Sequence, residues 1–486
     1  MAIQSKTVIS SMLWKLLERI SSQVVTFVIS IVLARILMPD DYGIIAIVLV
    51  FINIANVIVD GGLSTALVQK KEADRTDFST IFWVSILLAT LLYGILYVGA
   101  PLIALIYDKD ILTPTLRVLG LTIFFNSFNS IQRAYVSRYM LFRKLFFTSA
   151  VAQLVSGLIG IAMAYNGFGV WALVGQQISS SVFICVLMLL IIRWYPRWEF
   201  SKEKFKGLFD FGWKIFLTNF IITIYGEIRS IVIAKLYQPS ALAYFDRGKS
   251  LPQLLMSNML TTLNTVLLPT FSNEQDNPER VKQMMRRSVQ VGYFFVAPLL
   301  VGLFFASKEL VLVLLTEKWL PAVPFIQIFC IAYFLMPIQN VNITAIQSLG
   351  YSGITLKLEI VKKIIEAVIL VVSFLINVYA VAWGVVLYNF ICIFINLQPS
   401  KRLVNYGVRE QFKDVLPTLI VALLMGGAVY ACGLLQWNSI LVLITQVIVG
   451  TLTYYILCRL FRLDSYYYVL DYVKESLRRG KNVTPA

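Results

Sequence analysis

The chain has 486 residues, of which 58% are hydrophobic and 14% charged, and its mean hydropathy of +0.78 excludes a soluble globular domain. Its formal net charge is +16 and it contains no histidine, which excludes imidazole-based triads, metal ligands and proton relays together. Five cysteines, Cys185, Cys330, Cys392, Cys432 and Cys458, are scattered through apolar stretches and suggest neither a disulfide framework nor a zinc site.

Apolar windows of about 20 residues, the length that crosses a bilayer core, run along the chain from its start. Six are read at 13–36, 43–67, 78–106, 114–137, 146–165 and 170–192. Six more follow at 208–236, 248–272, 288–307, 322–348, 355–376 and 380–397, and two at 415–434 and 439–458. Lys6, Lys15 and Arg19 precede the first without a small-residue cleavage site after it, which reads as a retained span. The pattern predicts an all-α integral membrane protein of 14 transmembrane helices: a six-helix lobe over 1–200, a second over 201–400, and two additional helices with a basic tail over 401–486.

The two lobes share phrases. Residues 30–39 read SIVLARILMP and 230–239 read SIVIAKLYQP; Asp108, Lys109 and Pro114 are echoed by Glu317, Lys318 and Pro324, and NGFGV from Asn166 by NVYAV from Asn377. Three matches in one order mark a duplication of half-protein length, and an even helix count per half makes the repeats parallel, about an axis along the membrane normal. In a chain this apolar, that points to a transporter.

Basic residues sort by connecting segment. Lys70, Lys71, Arg75, the 193–206 stretch, Arg280 to Arg287 and the tail with Arg478, Arg479 and Lys481 lie on one set, whereas the other carries only Arg35, Lys109, Lys235, Arg247, Lys249, Lys308 and Lys318. The positive-inside rule then places both termini in the cytoplasm and makes nucleic-acid binding unnecessary as an explanation of the charge. The connections are too short for a catalytic domain, so no enzyme, cofactor or metal site is predicted.

Charge inside the hydrocarbon is costly, so each polar residue in a window is a site candidate. In the second window Asn53, Asn56, Asp60 and Ser64 recur at helical steps on one face, and in the fourth Asn126, Asn129, Ser130, Arg133 and Ser137 do the same. An ion pair between Asp60 and Arg133 across a polar cleft is the expectation. The tenth window keeps part of the spacing with Asn340, Thr344 and Gln347, and the eighth has Asn258, Thr261, Thr262 and Thr265. The seventh carries Lys214, Glu227 and Arg229. At 100° per residue Lys214 and Arg229 fall about 60° apart and Glu227 about 160° from Arg229, so either Glu227 pairs with a neighbouring helix or the turn at Gly226 is distorted. Cationic side chains in such a cleft suit a phosphate, and Asn, Thr and Gln suit sugar hydroxyls. Arg133, Arg229, Lys214, Asn126, Asn129 and Asn340 are therefore candidate substrate ligands, with Asp60 and Glu227 for charge balance or a coupling ion. Asp108-Lys109-Asp110 reads as a solvated turn, Asp40-Asp41 as a helix cap, and Gly61-Gly62 as a point of close packing or bending.

The stretches LARILMPDDYGIIA from Leu33, VDGGLSTALVQKKE from Val59, FGVWALVGQQ from Phe168 and WLPAV from Trp319 resemble the WzxC-like branch of the polysaccharide flippases, in the multidrug/oligosaccharidyl-lipid/polysaccharide exporter superfamily. The resemblance implies two six-helix lobes followed by two helices. It also implies movement of undecaprenyl-pyrophosphate-linked oligosaccharide repeat units across the inner membrane, with membrane lipids, an H+ or Na+ coupling ion and a polysaccharide polymerase as partners. This chain has Glu227 where related flippases have Asp, and Ala243-Tyr244-Phe245 where they have Gly-Tyr-Tyr. A cation-coupled multidrug exporter of the same fold and a membrane-embedded polysaccharide polymerase remain the alternatives.

Overall fold

All fourteen apolar windows of the sequence are occupied by helix. The structure, a computed structural model, describes residues 2–481; the side chains of 2–9, 12, 262, 352, 472, 473 and 476–481 lie outside what is described, and with them Lys6, Thr262, Arg478, Arg479 and Lys481. The first of two compact units, Met1–Ala243, holds α1 (Ala2–Ile36), α2 (Pro39–Asp60), α3 (Leu63–Gln69), α4 (Arg75–Tyr107), α5 (Leu112–Gly120), α6 (Thr122–Arg138), α7 (Phe142–Tyr165), α8 (Val170–Ile192) and α9 (Lys202–Leu236). α10 (Pro239–Ser272) begins at the end of that unit and runs into the second, Tyr244–Ala486. There follow α11 (Pro278–Leu314), a 3-10 turn at Glu317–Ala322, α12 (Val323–Phe334), α13 (Met336–Ser348), α14 (Ser352–Phe374), α15 (Val378–Val404), α16 (Val408–Gly433), α17 (Ser439–Leu460) and α18 (Asp464–Lys481). No strand occurs among the described residues.

Eleven helical stretches among the described residues are long and apolar enough to cross a membrane, against the fourteen expected. The shortfall has a physical cause. The window 114–137 is divided into α5 and α6, both short, and α6 carries a polar face; the window on α10 holds Lys249, Asn258, Thr261, Asn264 and Thr265, and that on α14 Glu359, Lys362, Lys363 and Glu366. These three windows are where ionisable and amide side chains interrupt the hydrocarbon-matched surface.

The duplicated phrases fall on equivalent corners. α1 ends just before Pro39 opens α2, and α9 ends just before Pro239 opens α10; proline suits a first helical position, where its missing N–H is not needed. Asn166 and Asn377 have diverged: Asn166 donates to Ala162 O at the end of α7, whereas Asn377 caps α15 by accepting from Ala380 N. Asp41 serves as a cap residue, accepting from Met38 N at 3.0 Å.

In lipid, helices associate through close packing and polar contacts, since the hydrophobic effect gives little between apolar surfaces. One end of the first unit is packed by Leu67, Phe78, Phe82, Phe128, Ile131 and Trp194, with Phe82 and Phe128 edge to face at 5.4 Å. The connector from α8 to α9 is fastened over it: Trp83 Nε1 donates to Arg197 O at 2.8 Å, Ser79 and Thr80 accept from Arg197 N and Ser201 N, and Thr76 donates to Glu199. Asp74 caps α4, accepting from Asp77 N, and pairs with Lys204 at the start of α9. The Lys204 hydrogen bond, with that of the Asp77 amide, lowers the Asp74 carboxyl to about 2. These contacts set the first turns of α9 against α3 and α4.

The second unit is tied by a buried network. Asp414 of α16, 4% exposed at its side chain, accepts from Arg286 Nε and Nη2 of α11 at 2.8 and 2.7 Å and from Tyr406 Oη at 2.9 Å. Asn342 of α13 and Gln411 of α16 exchange amide hydrogen bonds at 2.8 and 3.0 Å. Burial pushes the Tyr406 phenol well above its usual range, and it remains the donor to Asp414.

Candidate functional site

The second span is interrupted. α2 stops at Asp60, Gly61 and Gly62 both take left-handed conformations (φ +54° and +68°), and α3 resumes at Leu63. Gly62 is also where α9 comes closest: a Cβ there would lie 2.3 Å from Gly212 O. At the other end of α2, Gly43 meets Pro239, the first residue of α10. The sequence signal at Gly61-Gly62 thus does both things expected of it, bending and close packing.

At this break Asp60 Oδ1 accepts two hydroxyls, from Ser64 of α3 at 2.5 Å and Ser130 of α6 at 2.6 Å, and the two serine oxygens lie 2.7 Å apart. A cavity of about 280 Å³ opens beside the carboxylate, lined by Asn56, Asp60, Asn126, Ser130 and Asn219 over a floor that includes Val57 and Val59. Asn126 is held there by Ser181 of α8, whose hydroxyl donates to its Oδ1 at 3.1 Å.

The expected ion pair between Asp60 and Arg133 is not formed among the described residues; two serine hydroxyls occupy Asp60 Oδ1 instead. Arg133 lies three residues beyond Ser130, on the same α6 face, exposed and with no ion pair or hydrogen bond among the described residues. Lys214 is likewise exposed, and its ammonium has no such partner among them. Arg229 is half-buried. Glu227 resolves the alternatives left by its position on the helix: α9 is continuous through Gly226, and Glu227 turns to α2, where Asn53 Nδ2 donates to its Oε1 at 3.0 Å.

Asn129 does not join this group. It is 4% exposed and its amide donates to Ser181 O at 3.1 Å, so it fastens α6 to α8 rather than lining the cavity. In the second unit Gln339 does the corresponding work, donating to Asn389 O at 3.0 Å between α13 and α15. The next residue in each helix keeps the parallel. Ser130 donates to Asp60, and Asn340 donates to Asn264 Oδ1 of α10 at 2.7 Å, with Thr344 donating to the same oxygen at 3.2 Å. Both units thus tie the second helix of the repeat to α6 or α13 by a side-chain hydrogen bond, although the acceptors are not equivalent: in the 200-residue register Asp60 falls on Leu260 and Asn264 on Ser64.

Several residues escaped the sequence reading. Asn219 is a single amide in an apolar run and gives no periodic signal. On α14, Glu359, Lys362, Lys363 and Glu366 fall within about 100° of one another. Lys362, buried, pairs with Glu359, and Lys363 with Glu366 at 2.7 Å. Their spacing was visible, but strong isoleucine and valine content on the lipid side made the window read as an ordinary span. Among the described residues no cluster of three or more Cys, Asp or Glu ligands suits a multivalent metal.

Comparison with known proteins bears on the whole chain. Residues 32–324 match the family described as polysaccharide biosynthesis protein. The succinoglycan biosynthesis transport protein ExoT of Rhizobium meliloti (strain 1021) is 24% identical over 355 residues, 72% of this chain and 71% of that protein. The lipopolysaccharide biosynthesis protein WzxC of Escherichia coli (strain K12) is 21% identical over 342 residues, 70% and 69% of the two chains. Among solved structures, the lipid II flippase MurJ in an inward closed conformation superposes with a TM-score of 0.73 at 17% identity, covering 93% of this chain and 98% of that one, which establishes a shared fold. With the family match spanning more than half of its length, this multi-pass membrane protein belongs to the polysaccharide biosynthesis protein family.

Proposed function

We propose that the protein flips lipid-linked oligosaccharide repeat units across the bacterial inner membrane by alternating access, supplying exopolysaccharide or lipopolysaccharide assembly. The observation that carries this reading is the α6 face, where an exposed guanidinium at Arg133 stands one turn from an amide-rich cavity inside a membrane span. Arg133, Arg229 and Lys214 meet the phosphates; bidentate guanidinium donors and a compact ammonium suit a pyrophosphate. Asn126 and Asn340 meet sugar hydroxyls, and the lipid tail stays in the bilayer. Asp60 and Glu227 balance charge or serve a coupling ion. The distribution of basic residues supports cytoplasmic termini, and a polysaccharide polymerase is the downstream partner that takes the flipped unit. The names of ExoT and WzxC, both polysaccharide biosynthesis proteins, support the glycan class.

The experiment is export in a deletion strain. Lipid-linked repeat units should accumulate on the cytoplasmic leaflet, and Arg133→Ala or Arg229→Ala should fail to restore export while inserting normally. Accumulation on the outer leaflet would instead indicate a polymerase, and full export by both variants would remove the arginine assignment.

A further inference from the structure

We propose that the break in the second span is an alkali-cation site of sodium type, with the Asp60 carboxylate as its anionic ligand and the side-chain oxygens of Asn56, Asn126 and Asn219 around it. Four observations converge. No Lys or Arg lies within ion-pair distance of Asp60 among the described residues, so its charge is met only by two serine hydroxyls. An isolated carboxylate inside a membrane protein needs a positive partner. Asp60 is also the last residue of α2, where the helix carbonyls already make the local potential negative. Ends of interrupted membrane helices are places where carbonyls and carboxylates gather monovalent cations.

The second unit provides an internal control. There Asn264 of α10, a neutral amide, accepts two donors, both from α13, and α10 runs unbroken from Pro239 to Ser272. Hydrogen bonding between these helices therefore does not require a carboxylate. What sets the first unit apart is negative charge and a helix break appearing together. The ligand set is all oxygen with one carboxylate, which fits a monovalent ion better than Ca²⁺ or Mg²⁺, whose sites use more anionic or phosphate oxygens. The cavity of about 280 Å³ admits an ion that keeps part of its water. A proton on Asp60 would neutralise the charge but would use neither Asn56 nor Asn219 beside it.

In the transport cycle this ion is the coupling ion, and to that extent the inference rests on the proposed function; binding itself does not. The test is therefore made without glycan. The purified full-length protein is melted in detergent with NaCl, KCl or choline chloride at constant ionic strength. Sodium should raise the unfolding midpoint and choline should not; sodium at ten times its dissociation constant multiplies the folded-to-unfolded ratio about 11-fold. Asp60→Asn, which keeps an acceptor like that of Asn264, should abolish the sodium response. Asn219→Ala, at an exposed position, should weaken it about tenfold, the scale of a lost supporting ligand. An equal response to choline, a sodium response surviving in Asp60→Asn, or a midpoint raised by acid and indifferent to sodium would each overturn the site. Sodium binding with no role in glycan export would instead count against the transport reading alone.

Discussion

Gly61 and Gly62 share a backbone conformation but not their surroundings, and that difference yields a measurable prediction. An alanine at either position must hold a left-handed φ, which costs about 1 kcal/mol. At Gly61 little else happens, since a Cβ meets its nearest neighbours in Leu63 at an ordinary 3.6 Å. At Gly62 the same Cβ lies 2.3 Å from Gly212 O and 2.9 Å from Phe216 N, both backbone atoms that move only if α9 moves. Overpacking of that kind adds about 1–3 kcal/mol, so Gly62→Ala should cost about 2–4 kcal/mol in total against about 1 for Gly61→Ala. Thermal unfolding of both variants in detergent, followed by tryptophan fluorescence to which the buried Trp194 of the same unit contributes, compares them directly. Gly62→Ala should also lose the α2–α9 approach, read as faster cross-linking loss between cysteines placed at 53 and 227, the Asn53–Glu227 pair. If Gly61→Ala proved as damaging as Gly62→Ala, the close approach of α9 would not be what constrains this glycine.

Two further outcomes follow from polar contacts. Asp414→Ala should destabilise the second unit by about 2–4 kcal/mol, because the Tyr406 hydroxyl is left buried without its acceptor. Arg286→Ala should cost at least as much, because it leaves the Asp414 carboxylate, 4% exposed, without its charged partner; thiol-dye melting curves reporting Cys392 and Cys458 would compare them, and an Arg286→Ala midpoint close to that of the natural protein refutes it. For Asp74 the folded carboxyl sits near 2, below its ordinary value of 3.8, so its charged form stabilises the fold above that value and loses its effect as pH falls from there through about 2. Asp74→Asn keeps the cap and removes the charge, so its difference in midpoint from the natural protein should be constant near neutrality and vanish in strong acid; a difference that persists there would contradict the ion pair with Lys204 as its source.

The span positions were legible because hydrocarbon matching acts on composition alone, and the corners at Pro39 and Pro239 because proline marks a helix start in either half. The polar faces of the second and fourth windows were legible from helical spacing. Their pairing was not. Periodicity states which residues share a face but not which face of a neighbour lies opposite, so spacing alone pairs Asp60 with Arg133, whereas Ser64 and Ser130 are the groups that reach it. Asn129 shows the limit of the method: it and Ser130 are adjacent in sequence and about 100° apart around α6, enough to send one to α8 and the other to the cavity. Asn219 had no spacing to reveal it at all.

The two units also dispose of their charge in ways that respond differently to movement. On α14 the pairs Glu359–Lys362 and Lys363–Glu366 are made within one helix, three residues apart, and travel with it whatever its neighbours do. Asp60 is satisfied across elements, by Ser64 beyond a two-glycine break and by Ser130 on α6. Any shift of α2 relative to α3 or α6 strips one or both hydroxyls from a carboxylate that has no Lys or Arg within ion-pair distance among the described residues, and the free energy of that exposure changes at once. Charge on α14 is therefore compatible with helix rearrangement, whereas charge at Asp60 is coupled to it. The ion site proposed at Asp60 requires a group of the second kind, one whose contacts change when the helices around it move.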